Sequence, residues 1–151
     1  MSTRFVRLLL MVGWIVLGGA GVVRAQEPTG SLFPNRFTGR QLVVTTGHDE
    51  NRPEYRLLDN GLLFYREGST GAFQQLGQQP KDKTLEWFRR AEQELKVKTL
   101  TAAKPETPAA SVGWKKGKTE FTVAWADKKD APDGYRDFYE DFLKLFPKKK
   151  K

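Results

Sequence analysis

Apolar residues near the C-terminal end of the chain follow two different spacings. Over residues 119–126, Phe121, Val123 and Trp125 alternate with polar or small residues, a period of two that is typical of a half-buried strand. Farther along, apolar side chains recur at intervals of three and four residues, which predicts an amphipathic helix that ends before Pro147. Its apolar face consists of Tyr135, Phe138, Tyr139, Phe142, Leu145 and Phe146.

The first half of the chain predicts four strands. Asn60-Gly61 readily adopts the positive φ angles of a tight hairpin turn, and it separates apolar-rich segments at 54–58 and 62–67. The other two strand candidates are residues 41–46, which are rich in β-branched side chains, and residues 72–76, which follow a Gly-Ser-Thr-Gly turn.

A further helix and a further hairpin complete the predicted elements. Residues 83–95 show the helical period, and a lysine-rich turn around Gly117 joins a strand that begins near Val112 to the alternating strand described above. The inward side of this helix is predicted to carry Leu85, Phe88, Ala91 and Leu95, with Trp87 beside them. Its mostly outward residues are Arg89, Arg90, Glu92 and Glu94.

The order of elements is therefore ββββ-α-ββ-α. Tight turns join antiparallel neighbours, so these strands form an antiparallel sheet. Two helices with apolar stripes must bury those stripes, and one face of the sheet can cover both. We predict an α+β fold, a two-layer sandwich with an antiparallel sheet of about six strands and two amphipathic helices on one face.

Composition divides the 151 residues into four segments. Residues 1–25 have the form of a secretory signal peptide, since Arg4 and Arg7 precede an uncharged apolar stretch that ends in Val23-Arg24-Ala25. Residues 26–40 are predicted to be an extended lead-in, residues 41–147 a single domain, and residues 148–151 a basic tail. We expect export to the periplasm or the cell exterior with cleavage near Ala25; an uncleaved membrane anchor is the alternative.

The formal net charge of +8 does not indicate a nucleic-acid-binding body. Three basic residues lie in the leader and four in the tail, which leaves 19 basic and 18 acidic residues over residues 26–147. The chain has no cysteine and one histidine, which excludes thiol nucleophiles, disulfides, thiolate zinc sites and multi-histidine metal sites within one chain. We predict no metal, no cofactor and no nucleic-acid partner.

Three polar segments are candidate binding sites. They are His48-Asp49-Glu50, Ser69-Thr70, and the group Trp114, Lys115, Lys116 and Lys118. The first combines imidazole and carboxylates in a turn-rich loop, the second lies in a turn between strands, and the third joins an aromatic ring to cations. Each segment also fits a solvated turn, and both interpretations stay open.

None of these residues is predicted to be catalytic. A nucleophile elbow requires a serine between a strand and a helix, whereas Ser69 lies between two predicted strands. A small hydrolase would need Ser69, His48 and a carboxylate to meet in one pocket.

Several motifs resemble those of small uncharacterised exported α+β proteins of bacteria. They include residues 55–64 around Asn60-Gly61, the Lys-Gly-Lys hairpin, Val123-Ala124-Trp125-Ala126-Asp127, and Ala131-Pro132 ahead of the last helix. The layout is also similar to that of emfourin-type inhibitors of metallopeptidases. That resemblance implies an α+β fold and an inhibitory role, but it assigns no functional residue. This chain departs from that family in lacking its glycine-rich aromatic inhibitory segment, of which Gly71-Ala72-Phe73 is no more than a fragment.

The first hypothesis for function is a non-enzymatic binding module that acts on another envelope or extracellular protein, with peptidase inhibition as one version. The second is a peripheral envelope protein that associates with an anionic surface through Lys148, Lys149, Lys150 and Lys151. The third is a small hydrolase. The sequence leaves the oligomeric state open.

Overall fold

The computed structural model describes residues 33–148, and these residues form the predicted α+β arrangement of six strands and two helices. The strands are β1 (Arg40–Thr46), β2 (Pro53–Leu58), β3 (Leu62–Glu67), β4 (Gln74–Gln78), β5 (Ala110–Lys116) and β6 (Thr119–Trp125). The helices are α1 (Lys81–Arg89), which continues into a wide π-helical turn over Arg90–Glu94, and α2 (Tyr135–Leu143). The predicted signal peptide and the last three lysines lie outside the described residues.

All six strands pair antiparallel in one sheet, in the order β4-β3-β2-β1-β5-β6. The first four strands form a meander in which each strand pairs with the next along the chain. The predicted turn, in which Gly61 has φ +91°, joins β2 to β3. The chain then crosses through α1 and returns with β5 beside β1. In the resulting register Leu42 is opposite Leu57 on one side and opposite Trp114 on the other.

Both helices pack against the same face of this sheet, which confirms the predicted layering. Leu42 and Val44 of β1 are fully buried there, together with Phe138 and Phe142 of α2. Trp87 of α1 lies edge-on to both phenylalanines, with ring centres 5.1 and 5.5 Å apart. Edge-to-face contacts of this kind add to the stabilisation from burial alone.

The first helix differs from its prediction in the residues that it buries. Thr84 and Phe88 face the core, whereas Leu85, which was predicted to be inward, is 48% exposed. Thr84 can be buried because its hydroxyl donates to the carbonyl oxygen of Pro80 at 2.9 Å. The helix also begins two residues earlier than the apolar period indicates, directly after Pro80.

The opposite face of the sheet carries a smaller apolar cluster. Leu58, Phe64 and Phe73 are buried there under Phe33 and Phe37. The described part of the lead-in is therefore not simply extended: it turns over residues 33–36 and lays its aromatic rings on the sheet. The rest of this face has no helix over it within residues 33–148, and we call it the open face.

Within the described part of the chain, no helix is long and apolar enough to cross a membrane.

Substitution of a core aromatic residue tests the assignment of the layers. We expect Phe142→Ala to lower the free energy of unfolding by about 3–5 kcal/mol, because a fully buried ring is replaced by a cavity. Leu85→Ala should change the free energy of unfolding by only about 0.5 kcal/mol, because Leu85 is exposed although the sequence predicted it to be buried. Urea unfolding of both variants measures the difference, and equal losses would contradict the observed orientation of α1.

A second test uses Tyr135, whose hydroxyl donates to the carbonyl oxygen of Leu95 at 3.1 Å. Burial raises the pKa of Tyr135 from 10.0 to about 12. A raised pKa means that the folded protein favours the neutral phenol, so its stabilising contribution is complete below pH 10.0 and is lost as the pH rises through about 12.

We therefore expect the free energy of unfolding to fall more steeply between these pH values for the native protein than for Tyr135→Phe. Chemical denaturation across this range measures both slopes. Parallel slopes would show that Tyr135 does not contribute to alkaline unfolding.

Candidate functional site

Two of the three predicted binding segments meet at one end of the sheet. The β1–β2 loop carries His48, and the β3–β4 turn carries Ser69; both connections leave the sheet at the same end. The amide of Gly68 donates to the carbonyl oxygen of Arg52 at 3.2 Å and joins the loop to the turn. The lysine hairpin lies at the opposite end, where Lys116 pairs with Arg40.

The side chains of the first segment extend into solvent. His48, Asp49 and Glu50 are all exposed. No group of three His, Cys, Asp or Glu residues within 33–148 is arranged to hold a metal ion.

The lysine hairpin does not present its tryptophan to a ligand. Trp114 is buried on the helix-covered face, its indole Nε1 donates to Glu92 at 2.8 Å, and Lys98 lies over its ring. The stacking platform proposed from sequence is therefore absent at this hairpin. Lys116 and Lys118 are exposed, whereas Lys115 points to the open face and is half-buried.

Glu92 is a second residue that the sequence placed wrongly, since it was expected on the outer side of α1. The π-helical turn carries it to the start of β1 and the end of β5, where it accepts hydrogen bonds from the Trp114 indole at 2.8 Å and from the Arg40 guanidinium at 3.3 Å. A wide turn has no reliable signal in the apolar period, so this position could not be read from the sequence.

The open face contains a polar groove of about 450 Å³ that crosses β3, β2, β1, β5 and β6. Charged residues dominate its lining: Arg52, Arg56, Arg66 and Lys115 supply cations, and Glu54 and Glu120 supply carboxylates. Hydroxyl groups come from Thr45, Ser69, Ser111 and Thr122. Of the residues predicted from sequence, Ser69 and Lys115 belong to this groove.

The groove is organised around one carboxylate that two arginines share. Glu54 accepts from Arg56 through Oε1 and from Arg66 through Oε2, the latter at 2.6 and 3.0 Å. Glu54 and Arg56 are two apart on β2 and so face the same side, and the register sets Glu54 opposite Arg66. We call these three residues the Arg–Glu–Arg triad.

The triad is tied to three neighbouring segments. Arg56 donates to Gln41 of β1 at 3.1 Å and to Asn35 of the lead-in at 3.0 Å, and Arg66 donates to the carbonyl oxygen of Ser69 at 2.7 Å. Both guanidinium groups also lie over the ring of Phe73, at 4.6 and 4.5 Å from its centre. The network therefore fixes the turn at residues 68–71 and the lead-in to the sheet.

The sequence contained one signal for this triad that the prediction did not use. Glu54 and Arg56 are charged residues at alternating positions of a strand whose other residues are apolar, which indicates that one face of this strand is polar. The partner strand and the register were needed to find Arg66.

The chemistry available in the groove is hydrogen bonding and charge pairing. Thr45 and Ser111 share a hydrogen bond of 2.6 Å in its floor, and Ser69 reaches the rim without His48, which is not among the lining residues. The serine–histidine pair that the hydrolase hypothesis requires therefore does not meet in this groove.

A second cavity, of about 530 Å³, lies on the helix-covered side between the end of α2 and strands β2 to β4. Tyr55, Tyr65 and Phe146 give it an aromatic lining, and Lys148 stands at its rim. Lys148 is exposed and is the described part of the predicted lysine tail.

In comparisons with known proteins, no family model, curated protein or solved structure matches the chain.

Removal of the shared carboxylate tests the role of the triad in stability. Glu54→Gln leaves two buried or half-buried guanidinium groups without their counter-ion, and we expect a loss of about 3–5 kcal/mol in the free energy of unfolding. The control is Glu86→Gln, which breaks a solvent-exposed pair with Lys83 and should cost about 0.5 kcal/mol or less. Comparable losses in the two variants would show that the triad is not a structural element.

Proposed function

We propose that this protein is exported and acts as a non-enzymatic binding module for another protein, which it contacts through the groove on its open face. The observation that carries the proposal is the combination of an uncovered sheet face with polar groups that are already held in position. Gln41, Glu54 and Arg56 are buried and hydrogen-bonded to one another or to neighbouring segments. Groups held in this way lose little conformational freedom when a ligand binds.

The arrangement of layers supports the same proposal. Both helices pack on one face of the sheet and form the core there. The groove lies on the other face, so its side chains are not needed to fill the core. The groove also joins the turn at Ser69 to the lysine strand at Lys115, two of the segments selected from sequence as candidate contacts.

Export agrees with the leader at residues 1–25. Peptidase inhibition remains one specific form of the proposal. It depends on a likeness of layout to emfourin-type inhibitors, and a shared layout is compatible with many functions.

Capture of a partner by the exported protein tests the proposal. We expect the wild-type chain to retain a discrete envelope protein at about 0.1 M salt, and Thr122→Trp, which places a large ring in the groove, to release it. The matched control is Thr119→Trp, since Thr119 lies on the same strand but on the opposite side from the groove. The captured protein is then identified by mass spectrometry and its binding is repeated with the purified partner.

Two outcomes would contradict the proposal. Retention that is equal in both tryptophan variants would place the contact elsewhere. Retention that disappears on removal of residues 148–151 would instead support a peripheral protein held electrostatically by its lysine tail.

A further inference from the structure

We propose that the groove binds an extended, carboxylate-rich segment of the partner protein. This inference rests on the proposed function and names the chemistry of the segment that the groove takes.

The lining of the groove carries more positive than negative side chains. Four cations and two carboxylates line it, and one of those carboxylates, Glu54, is fully engaged by Arg56 and Arg66. Arg52 and Lys115 form no ion pair with any residue of the described range 33–148. Glu120 is the cross-strand neighbour of Lys115 but does not form an ion pair with it. A ligand with negative charge would therefore find cations that are free to pair with it.

The hydrogen bonds of the triad favour several spread charges over one compact anion. Phosphate and sulfate are best held by a bidentate arginine fork. Here Arg66 directs its Nε and Nη2 to Glu54 and its Nη1 to Ser69, so this fork is already occupied. The two cations that remain are far apart, since Lys115 is level with Gln41 near one end of β1 and Arg52 precedes β2 at the other end. One compact anion cannot reach both, whereas separate carboxylates of one segment can.

The dimensions of the groove suit a peptide in extended conformation. It crosses four spacings between strands, or about 19 Å, which matches about six extended residues. The hydroxyls of Thr45 and Thr122 lie in its lining and can hydrogen-bond peptide groups. Of the described residues that line the groove, none is aromatic, so a nucleic acid would find no ring on which to stack.

Binding of a labelled acidic peptide to the exported protein tests the inference. The probe is a six-residue peptide in which glutamate alternates with glycine, and its counterpart carries glutamine in place of glutamate. We expect the acidic peptide to bind, the glutamine peptide not to bind, and the double variant Lys115→Gln with Arg52→Gln to weaken the affinity by about tenfold at low salt. Fluorescence anisotropy gives each affinity.

A matched control removes the same charge from elsewhere on the molecule. Lys81 lies at the start of α1 on the helix-covered side and Lys128 lies in the turn after β6, and neither lines the groove. Lys81→Gln with Lys128→Gln should leave the affinity for the acidic peptide within about twofold at about 0.1 M salt. The two single variants at Lys115 and Arg52, each about threefold weaker, supply a second measurement if the double variant unfolds.

Three results would overturn the inference: equal affinity for both peptides, an equal loss in the two double variants, or stronger binding of inorganic phosphate or of an acidic polysaccharide than of the peptide. The proposed function has a separate outcome. If Thr122→Trp releases the captured partner but the double variant at Lys115 and Arg52 does not, the groove binds a protein by other chemistry. Only the inference that the bound segment is acidic is then wrong. If capture responds to neither change, the proposed function itself fails.

Discussion

Backbone pairing on both sides of β1 is the constraint on which the rest of this structure depends. β1 pairs with β2 along one edge and with β5 along the other, so it joins the N-terminal meander to the C-terminal hairpin. This pairing sets which side chains meet across the sheet, and it places Leu42 and Val44 at the centre of the helix-covered core. Because side chains alternate along a strand, the same register also sends Gln41, Val43 and Thr45 to the open face.

The two faces of the sheet hold their elements in different ways. The helix-covered face relies on close contact among aromatic rings, including Trp87, Phe138 and Phe142. On the open face, the Arg–Glu–Arg triad and Phe73 attach a turn and the lead-in to the strands through charge and hydrogen bonds. A charged network that replaces apolar packing does not by itself add much stability, but it specifies geometry and leaves polar groups at the surface. Those two properties make the open face a suitable place for recognition.

Local patterns predicted much of the fold because they report on short-range physics. The Asn60-Gly61 turn, the alternation at Phe121, Val123 and Trp125, and the apolar stripe of α2 all appear where expected. The errors concern orientation. Leu85 was assigned to the core and Glu92 to solvent because an ideal helical period was assumed, whereas the wide turn after Arg89 and the burial of Thr84 change which side chains face inward. Trp114 was a candidate ligand contact, whereas in the fold its indole donates to Glu92 beneath the helix layer.

The order of residues alone determined the helices and strands, the antiparallel direction of the strands and the two-layer fold class. These features follow from periodicity and turn chemistry, which involve residues within a few positions of one another. The groove does not follow from that order. Its triad brings together Glu54, Arg56 and Arg66, and its rim brings Ser69 to the same surface as Lys115. These residues become neighbours through strand order and register, which depend on long-range pairing and on burial of the whole core. Tertiary structure therefore decided where the charges of this protein meet.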